Sequence, residues 1–261
     1  IYRGLLSISR SSDDSSSAVD QELDTITVSS VLGYGINNKL AVFGVLPYSD
    51  RELEESGVAG SVTRGNQGFG DISGFARYQL WQQDGLGSTL RLAGVGGLTA
   101  PTGNDDRSDG VGRLPPSLQT GSGAWDWFAA IVATHQTLTN EFNGQISYRD
   151  NRESGGIELG DTLSVDVSWQ HRLWRQDVVR GVPAFFYSVL ELNVLHQDKN
   201  RLNGRSNRNT GGDRVWLSPG VQYVARRWIL EAVIQIPVIQ SLNGNALEND
   251  FVFTTGFRRS F

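Results

Sequence analysis

The stretch Asp161-Thr162-Leu163-Ser164-Val165-Asp166-Val167-Ser168-Trp169-Gln170-His171-Arg172-Leu173-Trp174 alternates strictly at its start. Leu163, Val165, Val167 and Trp169 share one face, and Thr162, Ser164, Asp166, Ser168, Gln170 and Arg172 share the other. A period of two is that of a β-strand with one apolar and one polar side. The pattern recurs at Glu141–Arg149, where Phe142, Ile146 and Tyr148 oppose Glu141, Asn143, Gln145, Ser147 and Arg149. It recurs again at the end of the chain, where Phe251, Phe253, Phe257 and Phe261 fall on one face with Thr255 and Arg259 between them.

Twelve such segments span roughly 2–11, 22–35, 38–50, 67–82, 87–100, 123–138, 140–151, 160–174, 183–197, 213–225, 227–239 and 248–261. Many are longer than the five or six residues usual for a strand. Their connections alternate in length. Short ones lie at Ile36-Asn37-Asn38, Gln83–Leu86, Thr139-Asn140, Arg175–Gly181 and Ala225-Arg226, and long polar ones at 12–21, 51–66, 101–122, 152–159, 198–212 and 240–247. Short turns at one end and long loops at the other are expected of a transmembrane antiparallel β-barrel with short periplasmic turns. An even count places both termini on the periplasmic side. The expectation is one barrel domain over residues 1–261, in which residues 1–20 supply either a first strand or a segment inserted into the lumen.

Composition is consistent with this reading. The 261 residues include 31 Gly, 10% aromatics and no Cys or Met, and the net charge is -5. Zero cysteine removes disulfides and thiolate-bound metals. Only Lys39 and Lys199 are lysines among 23 basic residues, and no basic stripe appears, so nucleic acid is not an expected partner. Mean hydropathy is -0.29, and no run approaches the roughly 18 apolar residues of a membrane helix. The start at Ile1 rather than Met suggests a processed chain whose signal peptide has been removed.

A sheet facing lipid must close, because unpaired backbone groups are costly there. The apolar faces then point outward and the polar faces inward. This parity sends Asp71, Arg77, Arg91, Asp126, Arg149, Asp166, Glu191, Glu231 and Arg258 to the lumen, along with the apolar Phe43, Val45, Phe75, Val95, Phe128, Phe185, Tyr187, Ile229 and Val233. Two readings of the charges stand: ion pairs that brace the wall, or a lateral field with Arg77 and Arg91 across from Asp166 and Glu191. The apolar groups either line a narrow path or plug it. Trp125, Trp127, Trp169, Trp174, Trp228 and Tyr223 fall near strand ends, as aromatic girdles do. Trp216 is the one Trp placed inside. Pro47, Pro219 and Pro237 sit within strands and remove ladder hydrogen bonds. They mark bulges near a rim or a weak lateral seam. Phe261 is an expected signal to the barrel-assembly machinery.

Three stretches carry a resemblance. They are Gly68-Phe69-Gly70-Asp71-Ile72-Ser73-Gly74-Phe75-Ala76-Arg77-Tyr78-Gln79-Leu80; then Leu98-Thr99-Ala100-Pro101-Thr102-Gly103 with Thr120-Gly121-Ser122-Gly123; then Leu217-Ser218-Pro219-Gly220-Val221-Gln222-Tyr223, Ile234-Gln235-Ile236-Pro237-Val238-Ile239-Gln240 and Asn243-Gly244. With the terminal Phe261 they resemble the family named for the meta-pathway of phenol degradation, over about residues 20–261. The resemblance implies a bacterial outer-membrane channel that takes up small hydrophobic or aromatic solutes, with outer-membrane lipids and lipopolysaccharide around it. It brings no catalytic residues and no cofactor.

Two other functions compete. An enzyme of the barrel surface would use a His-x-Ser pair, but the three histidines read His135-Gln136-Thr137, His171-Arg172-Leu173 and His196-Gln197-Asp198. A structural or adhesive barrel with a blocked lumen would work through its loops. Asp105, Asp106 and Asp109 in the 101–122 loop would then be candidate calcium ligands, set against ordinary solvated charges.

Overall fold

The computed structural model describes residues 1–13, 19–57, 60–176 and 182–261. Its twelve wall strands are β1 (Tyr2–Ser12), β2 (Val19–Gly35), β3 (Leu40–Gly57), β4 in two pieces (Gly60–Phe69 and Ile72–Gly85), β5 (Ser88–Ala100), β6 (Asp126–Thr137), β7 (Asn140–Asp150), β8 (Thr162–Gln176), β9 (Ala184–Gln197), β10 (Gly212–Val224), β11 (Trp228–Leu242) and β12 (Glu248–Arg259). Every neighbouring pair is antiparallel, and β1 pairs with both β2 and β12, so the sheet closes. Tyr2–Ser12 is therefore a strand of the wall. A lumen-inserted N-terminus is not what the structure has.

Closure explains the inverted burial pattern. Leu163, Val165, Val167 and Trp169 are 37 to 49% exposed, which makes no sense for a soluble protein and is required of a surface that lipid covers. The aromatic residues of the outer face collect at two levels. Tyr48–Phe69 and Trp127–Tyr148 pack near the long-loop end. Phe142–Trp169 and Tyr223–Trp228 pack near the short-turn end, where Arg259 also lies 5.5 Å from the Phe261 ring.

The turns at the short end are brief: β4 passes to β5 through Leu86 and Gly87, and Gly87 takes φ 74° as a tight hairpin requires. Most of the connection read at Arg175–Gly181 lies outside the described residues, as do the centres of those at 12–21 and 51–66. The long end departs from the sequence reading in one respect. Residues 51–57 and 60–66 are not an irregular loop; β3 and the first piece of β4 remain paired from Tyr48↔Phe69 up to Gly57↔Gly60. Antiparallel pairing needs no lipid, so the hairpin extends past the last outward apolar residues. Beyond β7 and β9, Ile157–Glu158, Arg201–Leu202 and Arg205–Ser206 join the loops at 152–159 and 198–212 in a small sheet of their own.

The 101–122 loop is held by many contacts to the hairpin beside it. It contains a single 3-10 turn, Pro116–Leu118, and lies against the inner face of the β3–β4 hairpin. Leu118 is fully buried, and with Leu114, Leu53 and Leu23 it forms a small apolar cluster. Arg51 Nη1 donates to Ser117 O at 3.0 Å and to Gln119 O at 2.7 Å. Asn66 Nδ2 donates to Leu118 O at 2.9 Å. Arg64 grips both oxygens of Asp109 at 2.8 and 3.0 Å.

Candidate functional site

Below this loop the strands enclose a cavity of about 1160 Å³. Its lining includes Phe75, Arg77, Arg91, Val95, Phe128, Arg149, Asp166, Glu191, Glu231, Val233 and Arg258, drawn from nearly every strand. The same alternation that turns apolar side chains to lipid turns these inward.

One register row builds the wall's most distinctive surface. The pairings Gly33↔Phe43, Phe43↔Phe75, Phe75↔Gly97, Gly97↔Phe128 and Phe128↔Arg149 follow one another from β2 to β7. Phe43 and Phe75 stack at 4.7 Å, and Phe75 meets Phe128 edge-on at 6.1 Å. The guanidinium of Arg149 lies 5.0 Å from the Phe128 centroid, a cation–π distance. Glycine makes the row possible. A Cβ at Gly97 would strike the Phe128 ring and stand 2.6 Å from Phe75 Cβ, and one at Gly33 would stand 2.5 Å from Phe43.

The charges divide. Arg3 Nε donates to Glu231 Oε1 at 2.8 Å. This is the lumen's clear ion pair, and parity overlooked its basic half because β1 alternates weakly through Leu5-Leu6. Glu141, on the polar face of β7, also lines the cavity. Asp166 accepts from Asn193 Nδ2 at 2.9 Å. Among the described residues, Arg77, Arg91, Arg149, Asp166 and Glu191 take part in no salt bridge. These bases sit on β4, β5 and β7 and these acids on β8 and β9; Arg258 on β12 and Glu141 on β7 also line the cavity and take part in no salt bridge among the described residues.

Two of the lumen charges expected from parity do different work. Asp71 sits in the break between the pieces of β4 and accepts from Gly103 N at 2.8 Å and Ser122 N at 2.7 Å. Asp126 is 3% exposed and accepts from Arg152 N at 2.9 Å and Ser122 Oγ at 3.3 Å. Both face inward, but loops have taken their oxygens, so neither belongs to the cavity lining. Phe185 and Tyr187 lie lower, with their rings 6.3 Å apart and Arg172 over Phe185 at 5.3 Å. Val45 and Ile229 fall on inward rows of β3 and β11. Trp216 is 9% exposed and pairs in register with Pro237.

The prolines coincide with ladder irregularities. At Pro47 the β3–β4 pairing skips from Val45↔Ser73 to Tyr48↔Phe69, bridged by Gly70 N to Pro47 O at 2.9 Å. Ser218 and Pro219 fall between the pairs Leu217↔Ile236 and Gly220↔Val233. Pro237 lies just past Gln235↔Val252, where the β11–β12 ladder ends.

No group of three or more His, Cys, Asp or Glu among the described residues is placed to hold a metal. Of the loop carboxylates, that of Asp109 is taken by Arg64. Together with amide donors from Val111 and Gly112, that guanidinium holds the carboxyl at about 2, well below the usual 3.8.

Residues 9–236 match the family described as "MetA-pathway of phenol degradation". The chain belongs to this family. Its fold is shared with the COG4313 outer membrane channel from Pseudomonas putida F1, at TM-score 0.71 and 14% identity over 100% of this chain and 95% of that one. The transport unit of the autotransporter AIDA-I from Escherichia coli is more distant, at TM-score 0.52 and 10% identity over 100% and 90%. None of the curated proteins matches the sequence. Membership of the phenol-degradation family and the twelve-strand closure agree with the resemblance drawn from the motifs, and the fold is that of outer-membrane channels.

Proposed function

We propose that this member of the phenol-degradation family is a channel for the passive passage of small aromatic and other partly apolar solutes across the outer membrane. The observation that carries the reading is the row Phe43–Phe75–Phe128, whose Phe75 and Phe128 line the central cavity while Phe43 stacks behind Phe75. A general-diffusion pore for hydrated ions gains nothing from such a surface, whereas a planar apolar solute gains contact area along it. The unpaired bases and acids supply a transverse field that turns the polar end of a solute to one side. The reading assigns no chemical step to any residue.

The apolar outer face and its two aromatic girdles fit a setting of lipid and lipopolysaccharide. The terminal aromatic Phe261, 86% exposed at the end of the last strand, suits recognition by the barrel-assembly machinery. The test uses porin-depleted Gram-negative cells expressing the chain, with uptake of labelled phenol and of glucose measured side by side. Faster phenol entry with little gain for glucose supports the channel. Equal gains for both, or none for either, contradict it.

A second route is favoured by one feature. Above Gln235↔Val252, the side of β11 facing β12 is bridged by side chains, with Asn249 N donating to Gln240 Oε1 at 2.8 Å and Gln240 Nε2 to Asn249 O at 3.1 Å. With Pro237 and Pro219 close by, this seam would let an apolar solute leave sideways into lipid. A double Cys substitution of Gln240 and Asn249, oxidised to a disulfide, would slow phenol entry by the lateral route and leave an axial route untouched.

A further inference from the structure

Arg149 closes the aromatic row, and its contacts leave most of its fork free. Nη1 donates to Thr99 Oγ1 at 3.1 Å. No carboxylate lies within salt-bridge range of it among the described residues; the charge of Asp126 acts on it from farther off, with the oxygens of Asp126 accepting from Arg152 N and Ser122 Oγ. The guanidinium nevertheless lines the cavity over the ring of Phe128, with Phe75 next in the row and also in the lining. A buried base that only braced Phe128 would be expected to carry a paired acid. Arg77 and Arg91 on the same side of the lumen are likewise without an acid partner, while Asp166 and Glu191 on β8 and β9 disfavour an anion on their own side.

A planar ring bearing a carboxylate satisfies each part of this surface. Its ring packs on Phe75 and Phe128 by offset or edge contacts. Its two oxygens accept from the guanidinium in the fork geometry that arginine offers and lysine does not. A neutral phenol obtains the ring contacts alone, and an aliphatic carboxylate the charge alone.

We propose that the wall from β4 to β7 is a binding subsite for aromatic carboxylates of the benzoate class, in which Phe75 and Phe128 take the ring and Arg149 the carboxylate. The subsite rests on the reading of the barrel as a channel for aromatic solutes and adds the charge of its preferred cargo.

The experiment records ion current through the full chain in planar bilayers at pH 7, titrating sodium benzoate, benzyl alcohol and sodium acetate as blockers. The subsite predicts half-block by benzoate at about ten-fold lower concentration than by either of the others, the worth of one charge-assisted contact. Arg149→Gln should raise the benzoate value by about ten-fold and leave that of benzyl alcohol unchanged. Arg149→Lys, which keeps the charge but loses the fork, should fall between them. Phe128→Leu should weaken both aromatics and spare acetate. If Arg149→Gln leaves benzoate unchanged, or weakens benzyl alcohol equally, the subsite is overturned and Arg149 is a brace. If benzyl alcohol blocks and benzoate has no advantage, the subsite fails and the aromatic channel stands. If neither aromatic affects the current of the parent chain, both fail.

Discussion

The 101–122 loop and the lumen wall beneath it are both rich in charge and use it in opposite ways. In and around the loop the charges are spent on structure: Asp71 on two backbone amides, Arg51 on two carbonyls, Arg64 on Asp109. In the wall, Arg77, Arg91, Arg149, Asp166 and Glu191 face the cavity without ion-pair partners. Water in the lumen removes the penalty that a dry interior would impose on them. The contrast separates charges that fix a shape from charges left available to a passing solute, although both groups point inward and look alike in sequence.

The largest effect is expected where the loop is anchored. Asp71→Ala strips the acceptor from Gly103 N and Ser122 N, at a cost of about 2 to 4 kcal/mol in loop anchoring. Limited proteolysis should then cut within 101–122 while the barrel keeps its heat-modifiable mobility on gels. An uncut loop would break the comparison on its structural side.

Next in size is the aromatic row. Gly97→Val drives a side chain into Phe128 and Phe75 and should cost about 1 to 3 kcal/mol, read as a lower temperature for loss of the folded gel band. Phenol uptake by cells should fall with it. Gly96→Val is the control, since no atom lies within 4 Å of a Cβ there.

Neutralising the unpaired acids should barely move stability. Asp166→Asn with Glu191→Gln is expected to raise the anion-to-cation permeability ratio by about two-fold, the consequence of a few tenths of a kcal/mol in a hydrated site. A loss of folding without a change in selectivity would show that these acids belong with the bracing charges.

The smallest effect concerns pH. Asp109 is held low in the folded state, at about 2 against 3.8. A depressed carboxyl contributes stability that is present above the unfolded value and lost as pH falls through the folded one. Amide exchange at Val111 and Gly112 should therefore stay protected down to about pH 4 and weaken between 3.8 and 2. Asp109→Asn should abolish that dependence. The pair is exposed, so the global unfolding midpoint should stay where it is.

Which parts were readable in the sequence follows from where lipid imposes a rule. Along Leu163–Trp169 the outward residues are all apolar, as lipid requires, so alternation reported both strand and facing. Past the bilayer the rule lapses. Glu52, Glu54 and Glu55 extend β3 with polar residues on both faces, and the pattern read as a loop although the backbone remains paired. Parity directs Arg77, Arg149 and Glu191 inward, and all three lie in the cavity lining, but direction is not occupancy. Nothing in the sequence around Asp71 or Asp126 tells that Gly103, Ser122 and Arg152 will arrive from distant loops to claim their oxygens. The aromatic row was invisible for a related reason. Phe43, Phe75, Gly97 and Phe128 become neighbours only through the register of four strands, which alternation alone does not set.

The central claim is that solutes pass through this lumen. The absence of cysteine from the chain allows a direct test, with a single Ala130→Cys on the cavity wall and, as its counterpart, Ile131→Cys on the lipid face. Phenol uptake by porin-depleted cells is measured before and after a bulky thiol reagent. The channel account predicts that modification at position 130 abolishes most of the uptake and that modification at 131 does not. Uptake undiminished with position 130 fully modified would contradict it.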